Sequence, residues 1–112
     1  MFRILIAEDD NELRQLFSHV LAKHGYSVTG VDNGAEALKA LEHSYFDLII
    51  SDIMMPVVDG FEFAKTVRET YEDIPILFMT ARDDIVSKQR GFRIGVDDYM
   101  VKPININEMV LR

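Results

Sequence analysis

The sequence predicts an α/β fold with one doubly wound parallel sheet of five strands in the order 2-1-3-4-5. Short apolar runs recur along the 112-residue chain, and segments with a helical spacing of apolar residues separate them. The runs are continuous and do not alternate with polar residues, which is typical of parallel strands covered on both faces. The length is enough for one compact domain with a core and too small for two.

Five segments have the character of strands. Three are continuous apolar runs, and two weaker segments begin with a tyrosine, the earlier of them alternating as an edge strand does. In chain order the five are residues 4–6, 26–31, 48–50, 76–79 and 99–101.

Helical patterns fill the gaps between these strands. For the first helix Gly25 is a plausible stop, and at the second Asn33 and Glu36 have the spacing of a capping box. The apolar residues of the first helix that follow a 3.6-residue period are Leu13, Leu16, Phe17, Val20 and Leu21.

Three further helices complete the β-α order. Asp59 is the predicted cap of the third, and Asp83 or Asp84 of the fourth. A fifth is expected to begin near Asn105 and to be truncated at Arg112. Right-handed crossovers then place helices on both faces of the sheet. This is a flavodoxin-like arrangement, whose ligand crevice lies at the carboxyl ends of strands 1 and 3.

Composition excludes several classes of function. The net charge of −7 argues against direct nucleic-acid binding by this segment, because phosphate backbones attract basic surfaces. The chain has no Cys, so it can form neither a disulfide framework nor a thiolate metal site. No apolar run approaches the about eighteen residues of a membrane span, and the acidic N-terminal segment does not resemble a signal peptide. A cytoplasmic protein is the simplest interpretation.

The ends of four predicted strands carry acids, a hydroxyl and an amine. In the predicted strand order these ends meet at one edge of the sheet, around the point where the strand order reverses. The residues concerned are Glu8, Asp9 and Asp10 after strand 1, Asp52 after strand 3, Thr80 after strand 4 and Lys102 after strand 5.

These residue types favour a metal-bound phosphoryl group. Clustered carboxylates repel one another unless a cation is present, and an oxygen-only donor set suits Mg²⁺ or Mn²⁺. A carboxylate beside such an ion can act as a nucleophile and become an acyl phosphate. Asp52 is the best candidate nucleophile, with Glu8 and Asp9 holding the metal. Thr80 could donate a hydrogen bond to the phosphoryl group, and Lys102 could supply a positive charge.

Four motifs, in this order, resemble those of bacterial response-regulator receiver domains, and together they cover nearly the whole chain. They are ILIAEDD, DLIISDIMMPVVDG, ILFMTA and GVDDYMVKP. The resemblance implies a CheY-like receiver domain over residues 1–112, which takes a phosphoryl group from a histidine kinase in two-component signal transduction. It also implies a switch that catalyses its own phosphoryl transfer and dephosphorylation and is not otherwise an enzyme.

The resemblance assigns roles to the acids. Asp52 matches the phospho-accepting residue, and Asp9 and Asp52 match direct Mg²⁺ ligands. Glu8 would act through water, and the backbone carbonyl of Met54 would be a further ligand. Asp10 is expected to help the first helix to start.

The resemblance also assigns the switch. Thr80 matches the switch hydroxyl, and the Ala81 amide would also meet the phosphoryl group. Tyr99 matches the aromatic residue that turns inward when Thr80 shifts. Lys102 matches the lysine of the family motif.

The stretch GFRIGVDDYMVKPININEMVLR is similar to a finer subgroup. Its receivers dimerise through the face made by the fourth helix, fifth strand and fifth helix, and they carry a winged-helix DNA-binding domain. No effector domain is expected within this chain. An ordinary solvated surface is the alternative interpretation of the candidate dimer-face charges. These are Lys88, Asp97, Asp98, Glu108 and Arg112.

Two other functions are alternatives. A phosphohydrolase with an Asp nucleophile needs a second acid two residues later, where this chain has Met54, and multiple turnover of a phosphate ester would favour it. A pseudo-receiver that never takes phosphate usually lacks a key residue, and this sequence lacks none. Failure of acetyl phosphate or a phosphoramidate to modify Asp52 in Mg²⁺ would favour the pseudo-receiver.

Overall fold

The structure, a computed structural model, describes residues 2–52, 60–71, 73–80, 89, 93 and 98–101, with residues 80 and 98–101 described as backbone. The elements are β1 (Arg3–Ala7), α1 (Asn11–Lys23), β2 (Ser27–Val31), α2 (Gly34–His43), β3 (Leu48–Asp52), α3 (Gly60–Thr70), β4 (Ile76–Thr80) and β5 (Asp98–Val101). From β1 to β4 the described elements alternate strand and helix, as predicted. The predicted cap Asp59 and the predicted fifth helix lie outside the described residues. Of the predicted fourth helix, the structure describes residues 89 and 93, and both are helical.

The five strands form one parallel sheet in the order β2-β1-β3-β4-β5, which confirms the predicted topology. Ala7 pairs with Ser51, and Asp52 pairs with Met79. The carboxyl ends of β1, β3 and β4 therefore lie side by side at one edge of the sheet. Within the described ranges, none of the helices has the length and apolarity needed to cross a bilayer.

Two apolar cores lie on opposite faces of the sheet, because successive side chains of a strand point to opposite faces. Along β1, Leu5 joins the core under α2 and α3, while Ile4 and Ile6 join the core under α1. Along β3, Ile49 and Ile50 divide in the same way. Covering both faces explains why the strands are continuous apolar runs.

Local sequence sets the helix ends. Asp10 caps α1, since its carboxylate accepts hydrogen bonds from the backbone N–H groups of Glu12 and Leu13 at 3.0 and 3.2 Å. Asn33 caps α2 by accepting from the Glu36 N–H at 2.9 Å. Gly25 follows α1 with φ of 91°, a left-handed conformation that favours glycine.

One residue of α1 departs from the predicted apolar stripe. Phe17 and Leu21 are buried, but Leu16 is 44% exposed. At 3.6 residues per turn, Leu16 lies about 100° around the helix from Phe17, outside the face that contacts the sheet.

Candidate functional site

Three of the predicted site acids lie together at the carboxyl edge of the sheet. Glu8, Asp9 and Asp52 each offer a carboxylate oxygen, and these oxygens all lie within 4.8 Å of one another. Strand register explains the grouping: Ala7 pairs with Ser51, so the next residues along β1 and β3 are Glu8 and Asp52. These three residues are called the acidic cluster below.

The acidic cluster is buried on one side and open on the other. Glu8 has no exposed surface and Asp52 is 4% exposed, whereas Asp9 is exposed. Burying charged groups costs free energy unless other groups compensate, so a cation bound beside Glu8 and Asp52 would lower the cost of burying them. The exposed side at Asp9 leaves a path by which ions and small donors can approach.

The backbone of Glu8 is held from two directions. Its N–H donates to the carbonyl oxygen of Val31 on β2 at 3.0 Å. Its own carbonyl oxygen accepts a hydrogen bond from Nη1 of Arg14 at 2.8 Å. The N–H of Asp10 also makes a long contact of 3.5 Å to Oε2 of the Glu8 side chain. Glu8 is thus fixed by β2, by α1 and by the turn that joins β1 to α1.

The acids satisfy the requirements of a small hard dication. The donor set is oxygen alone, which suits Mg²⁺ or Mn²⁺. Opposite oxygens in a magnesium shell lie about 4.2 Å apart, because each Mg–O bond is about 2.1 Å. The carboxylate oxygens of the acidic cluster lie within 4.8 Å of one another, a limit that allows such distances. Carboxylates from two strand ends could therefore hold one ion and leave other positions for water or phosphate oxygens.

The structure describes the other predicted site residues only in part. Thr80 ends β4, one residue beyond the partner of Asp52, and pairs with Val101 on β5. The backbone of Tyr99 pairs with Phe78. The strand order thus brings the Thr80 backbone to the edge that holds the acidic cluster.

Several predicted residues lie outside the described part of the chain. Among the site residues these are Met54, Ala81 and Lys102. Among the candidate dimer-face charges, Asp98 begins β5, and its side chain is not described. The others are outside the described residues: Lys88, Asp97, Glu108 and Arg112.

Sequence reasoning missed Arg14, the side chain that holds the Glu8 carbonyl. One signal could have found it. Arg14 lies in the first turns of α1, where the helix dipole disfavours a positive charge. A basic residue kept at that end indicates a specific local partner.

Comparison with known proteins identifies the family. Residues 4–112 match the family described as "Response regulator receiver domain". The chain is 38% identical over 112 residues to the transcriptional regulatory protein PcoR of Escherichia coli, covering 100% of this chain and 50% of PcoR. The chain spans about half the length of the curated relatives that it matches.

Solved structures share the fold. The chemotaxis protein CheY4 of Vibrio cholerae superimposes with a TM-score of 0.95 at 39% identity, covering 99% of this chain and 94% of that chain. TrrA of Thermotoga maritima, solved in complex with Mg(2+)-BeF, gives a TM-score of 0.89 at 34% identity, covering 99% of this chain and 95% of that chain. The chain belongs to the response regulator receiver domain family, the phosphoacceptor switches of two-component signal transduction.

Proposed function

We propose that this domain accepts a phosphoryl group on Asp52 from the phosphohistidine of a sensor histidine kinase, with Mg²⁺ or Mn²⁺ held by the acidic cluster. The proposal depends most on one observation, the meeting of three carboxylate oxygens within 4.8 Å at the carboxyl edge of the sheet. Receiver domains bind Mg²⁺ at an acidic pocket, and the acids of this chain have the matching chemistry.

The burial pattern supports a division of roles. Asp52 ends β3 at a fixed position and is nearly buried, as a nucleophile that must meet one donor geometry should be. Asp9 and Asp52 would be direct ligands, with Glu8 acting through water and the Met54 carbonyl as a further ligand. The relative TrrA was solved with Mg(2+)-BeF, and we extend that pairing to this site.

In the proposed reaction a carboxylate oxygen of Asp52 attacks the phosphorus of the phosphohistidine. The new O–P bond forms as the P–N bond breaks, and its electron pair remains on the departing imidazole. The bound dication supplies charge stabilisation to the phosphoryl oxygens. Thr80, the Ala81 amide and Lys102 would contact the same oxygens. Attack by water on phosphorus would later restore the carboxylate, so the domain would dephosphorylate itself.

The output would be a shift between two conformations. The phosphoryl group must bind one conformation better than the other, since equal affinity shifts nothing. Thr80 would move toward it and Tyr99 would follow. The relative PcoR is a transcriptional regulatory protein, and on that similarity we propose that this domain controls a DNA-binding effector. We also propose that it dimerises through the candidate dimer-face charges and that the protein is cytoplasmic.

Phosphorylation by a small donor tests the proposal. The purified domain is incubated with acetyl phosphate, with and without Mg²⁺, and followed by intact mass. We expect the wild type to gain one phosphoryl group only with Mg²⁺ and Asp52→Asn to gain none. Asp47→Asn is the matched control, because Asp47 is an acid at the opposite edge of the sheet. Mg²⁺-independent labelling, or labelling of Asp52→Asn, would contradict the proposal.

A further inference from the structure

We propose that Arg14 is a positioning residue of the cation site, and that Gly30 provides the space it occupies. Arg14 would set how tightly the acidic cluster binds a dication by fixing the Glu8 backbone. The inference rests on the proposed metal site and adds two residues from outside the acidic cluster.

Arg14 links α1 to the acidic cluster through its guanidinium. Nη1 donates to the carbonyl oxygen of Glu8 at 2.8 Å, and Nη2 donates to Oδ1 of Asn11. The bond to the Glu8 carbonyl is part-buried, so water competes less for it than at an exposed site. The second bond orients the planar guanidinium, and the first then fixes the peptide unit that joins Glu8 to Asp9.

Gly30 on β2 lies directly beneath the stem of Arg14. A Cβ added at Gly30 would lie 3.2 Å from both Cγ and Cδ of Arg14. Gly30 does not have the left-handed backbone that would demand glycine. Because glycine has no side chain, Gly30 leaves room for the Arg14 stem to cross β2 and reach the Glu8 carbonyl.

Charge alone argues against an arginine here. A guanidinium beside a cation site repels the cation, so the electrostatic effect of Arg14 is to weaken binding. Its hydrogen bond to the backbone acts in the opposite direction by holding the ligands in place. Replacing Arg14 should raise Mn²⁺ affinity if its charge dominates and lower Mn²⁺ affinity if its hydrogen bond dominates. A measurement of Mn²⁺ affinity therefore distinguishes the two effects. Loss of an outer-shell partner typically costs about 10- to 100-fold in metal affinity.

The test measures Mn²⁺ affinity of the whole 112-residue chain from the electron paramagnetic resonance signal of free Mn²⁺. We expect Arg14→Met to bind Mn²⁺ about tenfold more weakly than wild type, despite losing a positive charge. Arg14→Lys keeps the charge and one donor, so it should recover part of the loss. Gly30→Ala keeps the arginine but crowds its stem, so it should show a smaller loss.

Arg68 offers a matched control. Its Nη1 also donates to backbone carbonyls, those of Tyr71 and Ile74, but it lies at the amino edge of the sheet. Arg68→Met should lower the free energy of unfolding in urea and leave Mn²⁺ affinity unchanged. If Arg14→Met folds poorly in urea titrations, Gly30→Ala decides the question.

Unchanged or tighter Mn²⁺ binding by folded Arg14→Met would overturn this inference and leave the proposed function standing. If Arg14→Met folds poorly, the same result for Gly30→Ala would overturn it. Loss of affinity in Arg68→Met equal to that in Arg14→Met would also overturn it, since the effect would then reflect general loosening. Absence of Mn²⁺ binding by the wild type would overturn the metal site, and with it both proposals.

Discussion

The two edges of the sheet use the same chemical groups in opposite ways. At the amino edge, Asp47 and Arg3 join the starts of β3 and β1 by a reciprocal pair of bonds: Arg3 N–H donates to Oδ2 of Asp47 at 2.8 Å, and Asp47 N–H donates to the Arg3 carbonyl at 2.7 Å. Arg68 holds two carbonyl oxygens at the same edge. Asp47 and Arg68 each meet groups of complementary polarity there, so these contacts stabilise the fold.

The carboxyl edge brings like charges together. Glu8, Asp9 and Asp52 lie within reach of one another, and two of them are buried. Mutual repulsion of acids is unfavourable for folding and favourable for binding a dication. An acid's role here follows from the edge it occupies, so substitutions at the two edges should separate effects on stability from effects on cation binding.

The largest expected effect is on cation affinity at Asp52. Asp52→Asn removes a charged direct ligand, so we expect Mn²⁺ affinity to fall more than about 100-fold, or about 2.8 kcal/mol, since loss of an outer-shell partner alone costs about 10- to 100-fold. Titration calorimetry with Mn²⁺ measures it. Asp47→Asn is the control and should bind as the wild type does. Equal losses in both variants would remove the distinction between the edges.

The next effect is on stability at the amino edge. Asp47→Ala leaves the part-buried Arg3 N–H without its side-chain acceptor, so the free energy of unfolding should fall by about 2 kcal/mol. Urea denaturation measures the change. Asp47→Asn keeps a carbonyl oxygen at that position and should recover part of it. If Asp47→Ala left the free energy of unfolding unchanged, the bond would contribute little to stability.

A smaller effect is expected at Asp10, which directly follows Asp9 in the sequence. Asp10 caps α1 and is not in the acidic cluster, so Asp10→Ala should lower the free energy of unfolding by about 1 kcal/mol. Its Mn²⁺ affinity should change far less than that of Asp52→Asn. If Asp10→Ala bound Mn²⁺ as weakly as Asp52→Asn, then Asp10 would belong to the cation site.

The smallest effect concerns repulsion itself. Asp9 is exposed, so solvent screens its charge, and Asp9→Asn should raise the free energy of unfolding by roughly 0.5 kcal/mol when no divalent cation is present. Added Mg²⁺ should stabilise the wild type more than this variant, because binding to the folded state alone adds stability. If Asp9→Asn had a lower free energy of unfolding than the wild type in EDTA, the result would contradict mutual repulsion among the acids.

Much of this organisation could be predicted from the sequence. Continuous apolar runs indicated β1, β3 and β4, and the acids that follow β1 and end β3 indicated the edge at which a site forms. The side chain of Leu16 and the contacts of Arg14 were not predictable in the same way. Which face of α1 contacts the sheet depends on tertiary packing. The position of a basic residue near the start of α1 could point to a local partner of Arg14, but it does not identify that partner as the Glu8 carbonyl.

Chemical mapping of the modified residue tests the central claim most directly. The domain is treated with acetyl phosphate and Mg²⁺, and the acyl phosphate is reduced with borohydride, which converts an aspartyl phosphate to homoserine. Peptide mass spectrometry then locates the change. We expect homoserine at position 52 and only when Mg²⁺ is present. Homoserine at another aspartate, or at position 52 in EDTA, would contradict the claim that the acidic cluster joins a cation to a phosphoryl acceptor.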